Sequence, residues 1–193
     1  MNPKISNLQT EILSQQRFVY KKITYDYEKA DGSTEQQTRV VFDRGNGAAI
    51  LLYNSENKTI ILTRQFRLPA FLNQSKSGML IEVCAGTLEE ANPEECIKRE
   101  AEEETGYRIK EVKKVFEAYM SPGAMTEILY FFTAEYMPEM KVSEGGGLEE
   151  EHEYIEVLEM RFDKAYEMVL SGEIVDAKTI MLIQHLKIQG VFD

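Results

Sequence analysis

The sequence predicts an α/β protein in which a few helices cover layers of β-strands. Three observations lead to this class: strand-like segments dominate the first 85 residues, one well-delimited helix follows at 93–105, and further strands precede two closing helices. A chain of 193 residues is long enough for one full-sized domain with a small appendage. Many strands interrupted by few helices are typical of mixed α/β layers.

The first 44 residues predict an N-terminal antiparallel β region. The segment "RFVYKKITYDYEKADGST" alternates apolar and polar side chains and then turns at Asp31-Gly32, and "TRVVFD" completes a hairpin. "RGNG" at 44–47 breaks the pattern, so we place a domain boundary there, dividing the chain into residues 1–44 and 45–193. Two or three strands cannot bury both of their faces alone, which favours a partner surface for this region.

The remaining elements follow from the same reasoning. "AAILLY", "TIILTRQF" and "MLIEVCA" (79–85) each read as one strand, as do the later segments "VKKVFEAYM", "EILYFFTAEYM" and "YIEVLEM". Two helices, near 162–171 and 176–188, close the chain. "SEGGGLEEE" at 143–151 predicts a mobile loop, because three consecutive glycines carry a large backbone entropy.

The helix at 93–105 carries the clearest boundary signals. Asn92 is a good N-cap, Pro93 occupies the first helical position, Glu95 completes a capping-box-like start, and Gly106 is the expected stop. Its last turns hold a dense group of glutamates, although carboxylates at a helix C-terminus oppose the helix dipole. A favourable contact from outside the helix is therefore expected there.

Composition and charge exclude several function classes. The net charge is −11, and it is concentrated in residues 89–104, at −6, and residues 144–159, at −7. A nucleic-acid surface would require a basic stripe, so nucleic acid is not an expected partner. Two cysteines and two histidines make a structural zinc site and a disulfide scaffold implausible, which favours the reducing cytoplasm. The longest uninterrupted apolar run, "AAILLY", is far too short to span a bilayer, so no membrane is expected either.

The acidic helix end has a plain interpretation and a functional one. Glu100, Glu103 and Glu104 share one face, and a solvated face tolerates their repulsion of about 0.2–0.5 kcal/mol per pair. A partly buried face requires a counter-charge. Carboxylates grouped beside a backbone carbonyl suit Mg²⁺, and Ala85-Gly86 allows a strand end to approach closely. Arg99 lies next to Glu100 and could fix its side chain.

The segment "GTLEEANPEECIKREAEEETGY" (86–107) resembles the Nudix box, usually written G-x5-E-x7-R-E-U-x-E-E-x-G-U. Its second half matches from Arg99 to Tyr107, whereas Asn92 replaces the first glutamate and the spacing to Arg99 is one residue short. "RQFR" (64–67) and "YMSPGAMTE" resemble the ADP-ribose and nucleoside-diphosphate-sugar pyrophosphatases. Across nearly its whole length the chain is most similar to bacterial GDP-mannose hydrolases. The resemblance implies a Nudix α/β/α sandwich with a mixed sheet, preceded by the antiparallel β region.

The resemblance also implies a metal-dependent attack of water on a pyrophosphate, with Mg²⁺ as cofactor and Mn²⁺ as the other candidate. The implied metal ligands are Glu100, Glu104, the Ala85 carbonyl, Glu103 through water, and Glu151 from the later acidic loop. Glu151, or alternatively Glu150, is the implied catalytic base, with Arg99 and Glu100 completing the catalytic group. The implied substrate contacts are Arg17, Arg39, Arg67, Ala85, Gly86, Glu104, Glu127 and Lys178.

Several alternatives remain open. Arg17 occupies the position where these hydrolases would place an aromatic residue that stacks on the base. An arginine can also stack on a purine, but this departure weakens the assignment of guanine as the preferred base. ADP-ribose or another nucleoside-diphosphate sugar is therefore the nearest rival substrate. A non-catalytic ligand-binding or regulatory module with the same fold is a rival of a different class. The resemblance further implies a homodimer in which the N-terminal strands form the interface and lend Arg17 or Arg39 to the neighbouring site.

Overall fold

The computed structural model describes residues 4–73, 75–88, 92–148, 150 and 152–192. The chain divides into two compact units: residues 1–46 with 118–129, and residues 47–117 with 130–193. Within the described residues, no helix combines the length and the apolar content that a membrane span requires.

The first unit contains a three-stranded antiparallel sheet in the order β1-β2-β3. Its strands are β1 (Lys4–Gln15), β2 (Val19–Glu28) and β3 (Thr34–Asp43). The predicted hairpin is the β2–β3 pair, which turns at Gly32 with a φ of 84°. Every residue of β1 is exposed, including four large apolar side chains, Ile5, Leu8, Ile12 and Leu13.

The second unit is built around a seven-stranded mixed sheet in the order β10-β5-β4-β9-β8, with β6 paired to β5 and β7 paired to β4. These strands are β4 (Gly47–Asn54), β5 (Thr59–Phe66), β6 (Met79–Glu82), β7 (Cys84–Thr87), β8 (Lys113–Tyr119), β9 (Ile128–Glu135) and β10 (Glu156–Arg161). The last two residues of β8 and the first two residues of β9 belong to the first unit.

Among the described residues, four α-helices accompany the sheet: α1 (Leu68–Leu72), α2 (Pro93–Thr105), α3 (Phe162–Ser171) and α4 (Ala177–Ile188). Ala48, Ile50 and Leu52 of β4 share one buried cluster with Ile97 and Ala101 of α2. The intervening β4 residues point to the other face, and α4 also contacts β4. Both faces of β4 are therefore covered by helices, which confirms the predicted α/β class and layering.

Two differences from the sequence-based expectations affect the site. The segment 79–85 is not one strand, because the chain changes partner at Val83: β6 pairs with β5, and β7 pairs with β4. The Val83 N–H donates to Thr179 Oγ1 of α4 at 2.7 Å instead of to a neighbouring strand. The short helix α1 was not predicted from the sequence, and at five residues it is too short to leave a periodic signal.

Candidate active site

Helix α2 positions the acidic residues, and its ends lie where the sequence predicts them. Asn92 Oδ1 accepts a hydrogen bond from Glu94 N at 2.9 Å, and Gly106 closes the helix in the left-handed conformation at a φ of 81°. The cap therefore uses the second helical residue, Glu94, rather than a reciprocal contact through Glu95. Asn92, which replaces a glutamate of the Nudix pattern, has a defined local role as this cap.

Glu104 lies on the buried face of α2 and is only 2% exposed. Its Oε2 accepts a hydrogen bond from Ala85 N at 3.3 Å. Burial raises the pKa of Glu104 to about 8. A hydrogen bond with Cys84 lowers this pKa, whereas the nearby carboxylates of Glu100 and Glu153 raise it further. A carboxyl with such a pKa is mostly protonated at neutral pH, and a cation beside it would favour the charged form.

Glu100 and Glu103 are held by one arginine. Arg99 Nη2 contacts Glu100 Oε1 at 2.7 Å, and Arg99 Nη1 contacts Glu103 Oε2 at 2.8 Å. The side chain of Glu100 also packs directly on Gly86 of β7: a Cβ built at Gly86 would lie 2.2 Å from Glu100 Cδ. Gly86 is thus the close approach between strand and helix that the sequence suggested.

The oxygen donors of this region have the chemistry that a divalent cation requires, since Glu100 and Glu104 converge on the Ala85–Gly86 strand end. The raised pKa of buried Glu104 supports a cation there. In the part of the chain that the structure describes, however, no three acidic, histidine or cysteine side chains form a ready metal cluster. Arg99 engages two of the carboxylates, and the implied ligand Glu151 lies outside the described residues.

Within the predicted mobile loop at 143–151, two of the described glycines donate backbone hydrogen bonds to α2, and residues 149 and 151 lie outside the described residues. Gly146 N donates to the Glu104 carbonyl at 2.9 Å, and Gly147 N donates to the Glu103 carbonyl at 3.1 Å. Gly145, Gly146 and Gly147 all have positive φ, so the glycines shape a turn against the end of α2. The N–H groups of Gly146 and Gly147 satisfy C-terminal carbonyls of the helix and offset the dipole that opposes its glutamates. Glu150 is exposed beyond this turn.

Arg67 and Lys178 meet at a carboxylate that the sequence analysis did not single out. Glu82 accepts from Arg67 Nε at 2.8 Å, from Arg67 Nη2 at 2.9 Å and from Lys178 Nζ at 2.5 Å. Burial alone would raise the pKa of Glu82, but its bonds to Arg67 and the charge of Lys178 outweigh burial and lower it. The available signal was one acidic residue inside the apolar strand "MLIEVCA", because a buried carboxylate requires a cationic partner.

Three predicted substrate contacts lie in the first unit. Arg17 is exposed, with its Cζ 5.7 Å from the centroid of the Phe18 ring. Arg39 of β3 is also exposed and donates to the Thr38 carbonyl at 2.9 Å. Glu127 is 7% exposed and forms an ion pair with Arg44, at 3.4 Å from its Nε.

Comparisons with known proteins agree with this architecture. A model of the NUDIX domain matches residues 43–181, and a model of the GDP-mannose pyrophosphatase NudK N-terminal domain matches residues 4–42. A crystal structure of an ADP compounds hydrolase superimposes with a TM-score of 0.72 at 17% identity, covering 99% of this chain and 97% of that one. At this identity the likeness supports the fold alone.

Relatives similar over their full length are curated as GDP-mannose pyrophosphatases. The protein from Yersinia pestis (strain Pestoides F) is 52% identical over 188 residues, which cover 97% of this chain and 94% of the relative. The protein from Cronobacter sakazakii (strain ATCC BAA-894) is 50% identical over 193 residues, covering both chains completely. The domain match and these full-length similarities, together with the acidic helix on its glycine-bearing strand, show that the chain belongs to the Nudix family of hydrolases, which act on a pyrophosphate bond.

Proposed function

We propose that this protein is a Mg²⁺-dependent pyrophosphatase that hydrolyses GDP-mannose to GMP and mannose 1-phosphate. The observation that carries the proposal is the 50–52% identity, over at least 94% of each chain, to proteins named for that activity. The separate match of residues 4–42 to the N-terminal domain of the same enzymes extends the similarity beyond the catalytic domain.

The residues around α2 are assigned the roles that the resemblance to the Nudix box implies, and their chemistry supports those roles. Glu100 and Glu104, with the Ala85 carbonyl, would hold the divalent ion, and Glu103 would contribute through water. Mg²⁺ suits this hard oxygen set, and Mn²⁺ would be an effective substitute. When bound, the ion would supply positive charge against the bridging oxygens of the pyrophosphate. Arg99 orients Glu100 through the 2.7 Å contact between their side chains.

The water that attacks phosphorus needs a base from outside the helix. We assign this role to Glu151, with Glu150 as the alternative, because both follow the turn at 145–147 that is bonded to the end of α2. Arg67 and Lys178 are assigned to the phosphates, since a guanidinium suits bidentate contact with an anion. Arg17, Arg39 and Glu127 are assigned to the substrate from the first unit.

The direct test is a screen of nucleoside-diphosphate sugars with Mg²⁺ and with Mn²⁺, in which monophosphate and sugar phosphate are both quantified. GDP-mannose should give the highest kcat/KM, and Glu100→Gln should abolish turnover in the same preparation. Preferential cleavage of ADP-ribose would mean that ADP-ribose, not GDP-mannose, is the substrate, and the proposed pyrophosphate hydrolysis would stand. No metal-dependent release of monophosphate from any compound would favour the non-catalytic binding module.

We also propose a cytoplasmic homodimer in which residues 1–44 form much of the interface and residues 45–193 form the hydrolase domain. The exposed apolar side chains of β1, such as Leu8 at 60% and Ile12 at 57%, support an interface on this sheet. If Arg39 serves the neighbouring site, mixing Arg39→Ala subunits with Glu100→Gln subunits should restore part of the activity. No recovery after verified subunit exchange would exclude the shared site.

A further inference from the structure

Four charged side chains in the second unit form a continuous chain of ion pairs. Arg67, at the start of α1, donates two hydrogen bonds to the carboxylate of Glu82. Lys178 of α4 donates to the same carboxylate. Lys178 Nζ also donates to Asp176 Oδ1 at 2.9 Å. Elements distant in sequence, β6, α1 and α4, are therefore joined at the carboxylate of Glu82, which is 2% exposed.

The geometry at Arg67 leaves one edge of the guanidinium directed away from Glu82. The bidentate bond uses Nε and one N–H of Nη2, which leaves both N–H groups of Nη1 and the second N–H of Nη2 at the end of the guanidinium. The Arg67 side chain is 41% exposed, whereas its partner carboxylate is almost completely buried. An arginine fixed along one edge and accessible along the other is prepared to bind a second anion bidentately.

The chain of ion pairs also lies within electrostatic reach of α2. Burial lowers the pKa of Arg67, but the bonds to Glu82 and the charges of Glu104 and Asp176 outweigh burial and raise it. The reciprocal effect is present at Glu104: the charge of Arg67 lowers its pKa, but burial has the larger effect, and the net pKa is raised. Arg67 therefore interacts favourably with Glu104 of α2 as well as with the buried Glu82.

Asp176 secures the other end of the arrangement. Its Oδ2 accepts from Thr179 N at 3.0 Å, which caps α4, and from Thr179 Oγ1 at 2.6 Å. Thr179 Oγ1 in turn accepts from Val83 N, next to Glu82. Because both the backbone and the side chains around Glu82 are tied to α4, the orientation of this carboxylate is set by rigid elements.

We propose that Glu82 is a positioning residue: it holds Arg67 and Lys178 in fixed orientations so that together they bind the phosphates of the substrate. Glu82 itself touches no substrate and acts through the two cations. The identity of the substrate rests on the proposed function, whereas the orientation of the cations follows from the ion pairs described above.

The test compares steady-state kinetics of Glu82→Gln, Arg67→Ala and the double variant on GDP-mannose. Glutamine keeps the shape of the side chain but loses the charge, so Arg67 and Lys178 lose their fixed partner. We expect KM to rise about ten- to a hundredfold, the equivalent of one charge-assisted hydrogen bond, with kcat changed by no more than about threefold. In the Arg67→Ala background, Glu82→Gln should raise KM by a much smaller factor.

Glu156→Gln provides a matched control, because Glu156 forms an exposed ion pair with Arg64, at 3.0 Å, between β10 and β5. Its KM should equal that of the wild type. If Glu82→Gln does not fold, Glu82→Asp keeps the charge but shortens the reach, and an intermediate rise in KM is expected. An unchanged KM in whichever variant folds, or an equal rise with and without Arg67, would overturn the positioning role.

The outcome is separable from the proposed function. Wild-type cleavage of GDP-mannose with an unaffected Glu82 variant would refute the positioning role alone. If the wild type leaves GDP-mannose intact, calorimetric titration with inorganic pyrophosphate provides the same comparison. The dissociation constant should then rise about tenfold or more in Glu82→Gln and remain unchanged in Glu156→Gln.

Discussion

Gly86→Ala should inactivate the enzyme by displacing Glu100, although the substitution itself neither adds nor removes a charged group. A Cβ at position 86 would lie 2.2 Å from Glu100 Cδ and 2.4 Å from both Cγ and Oε1. Ordinary contacts of this kind begin at 3.4 Å, so Glu100 must move by about 1.2 Å or more. Gly86 does not have a positive φ, and alanine therefore adds no backbone strain there.

The expected magnitudes differ for activity and for stability. A misplacement of about 1 Å at a catalytic group can reduce the rate roughly a hundredfold, so kcat should fall by about that factor. Overpacking costs about 1–3 kcal/mol, and Glu100 is a side chain that can rotate, so the lower end applies. For a chain of this size, this corresponds to a decrease in Tm of only about 2–4 °C.

The assay is hydrolysis of GDP-mannose over a range of Mg²⁺ concentrations, with thermal unfolding measured on the same samples. Gly123→Ala is the matched control, because a Cβ there meets nothing within 4 Å. Gly86→Ala added to Glu100→Gln should lower kcat little further, since both changes act on the same carboxylate. A folded Gly86→Ala protein with at least half of the wild-type kcat would refute the reasoning.

Three further predictions concern the same region. In metal-free buffer the folded protein retains the Glu104 proton up to a pKa of about 8, whereas the unfolded chain releases it near the ordinary value of 4.5. Stability should therefore decrease by up to a few kcal/mol as pH rises from 5 to 8, and Glu104→Gln should remove this slope in thermal unfolding; equal slopes would contradict the assignment. Gly145→Ala should lower Tm more than Gly172→Ala does. Both glycines have a positive φ, but only at position 145 would an added Cβ meet the backbone, 2.5 Å from the Glu104 carbonyl oxygen. Equal decreases in Tm would show that the turn at 145–147 shifts to accommodate the Cβ. Glu151→Gln should lower kcat far more than it changes KM, and wild-type kcat in both Glu151→Gln and Glu150→Gln would move the base elsewhere, with Glu127 tested next.

Elements with local signals could be predicted from the amino-acid sequence. Helix α2 begins after Asn92 and ends before Gly106 as predicted, because a cap side chain and a left-handed glycine act within a few residues of the helix they delimit. The closing helices α3 and α4 and the β2–β3 hairpin were also predicted, because their signals likewise lie within a few residues of one another. The acidic face of α2 also follows from spacing alone.

The pairing of the charged groups, in contrast, could not be predicted from the sequence and is seen in the folded chain. The partners of Glu82 lie 15 and 96 residues away along the chain, at Arg67 and Lys178, and no local pattern encodes pairing over such separations. At the change of strand partner, Val83 N donates to a hydroxyl of α4, and Gly146 and Gly147 donate to carbonyls of α2. These features depend on burial and on long-range hydrogen bonding, because a buried polar group takes whatever partner the packed elements bring to it.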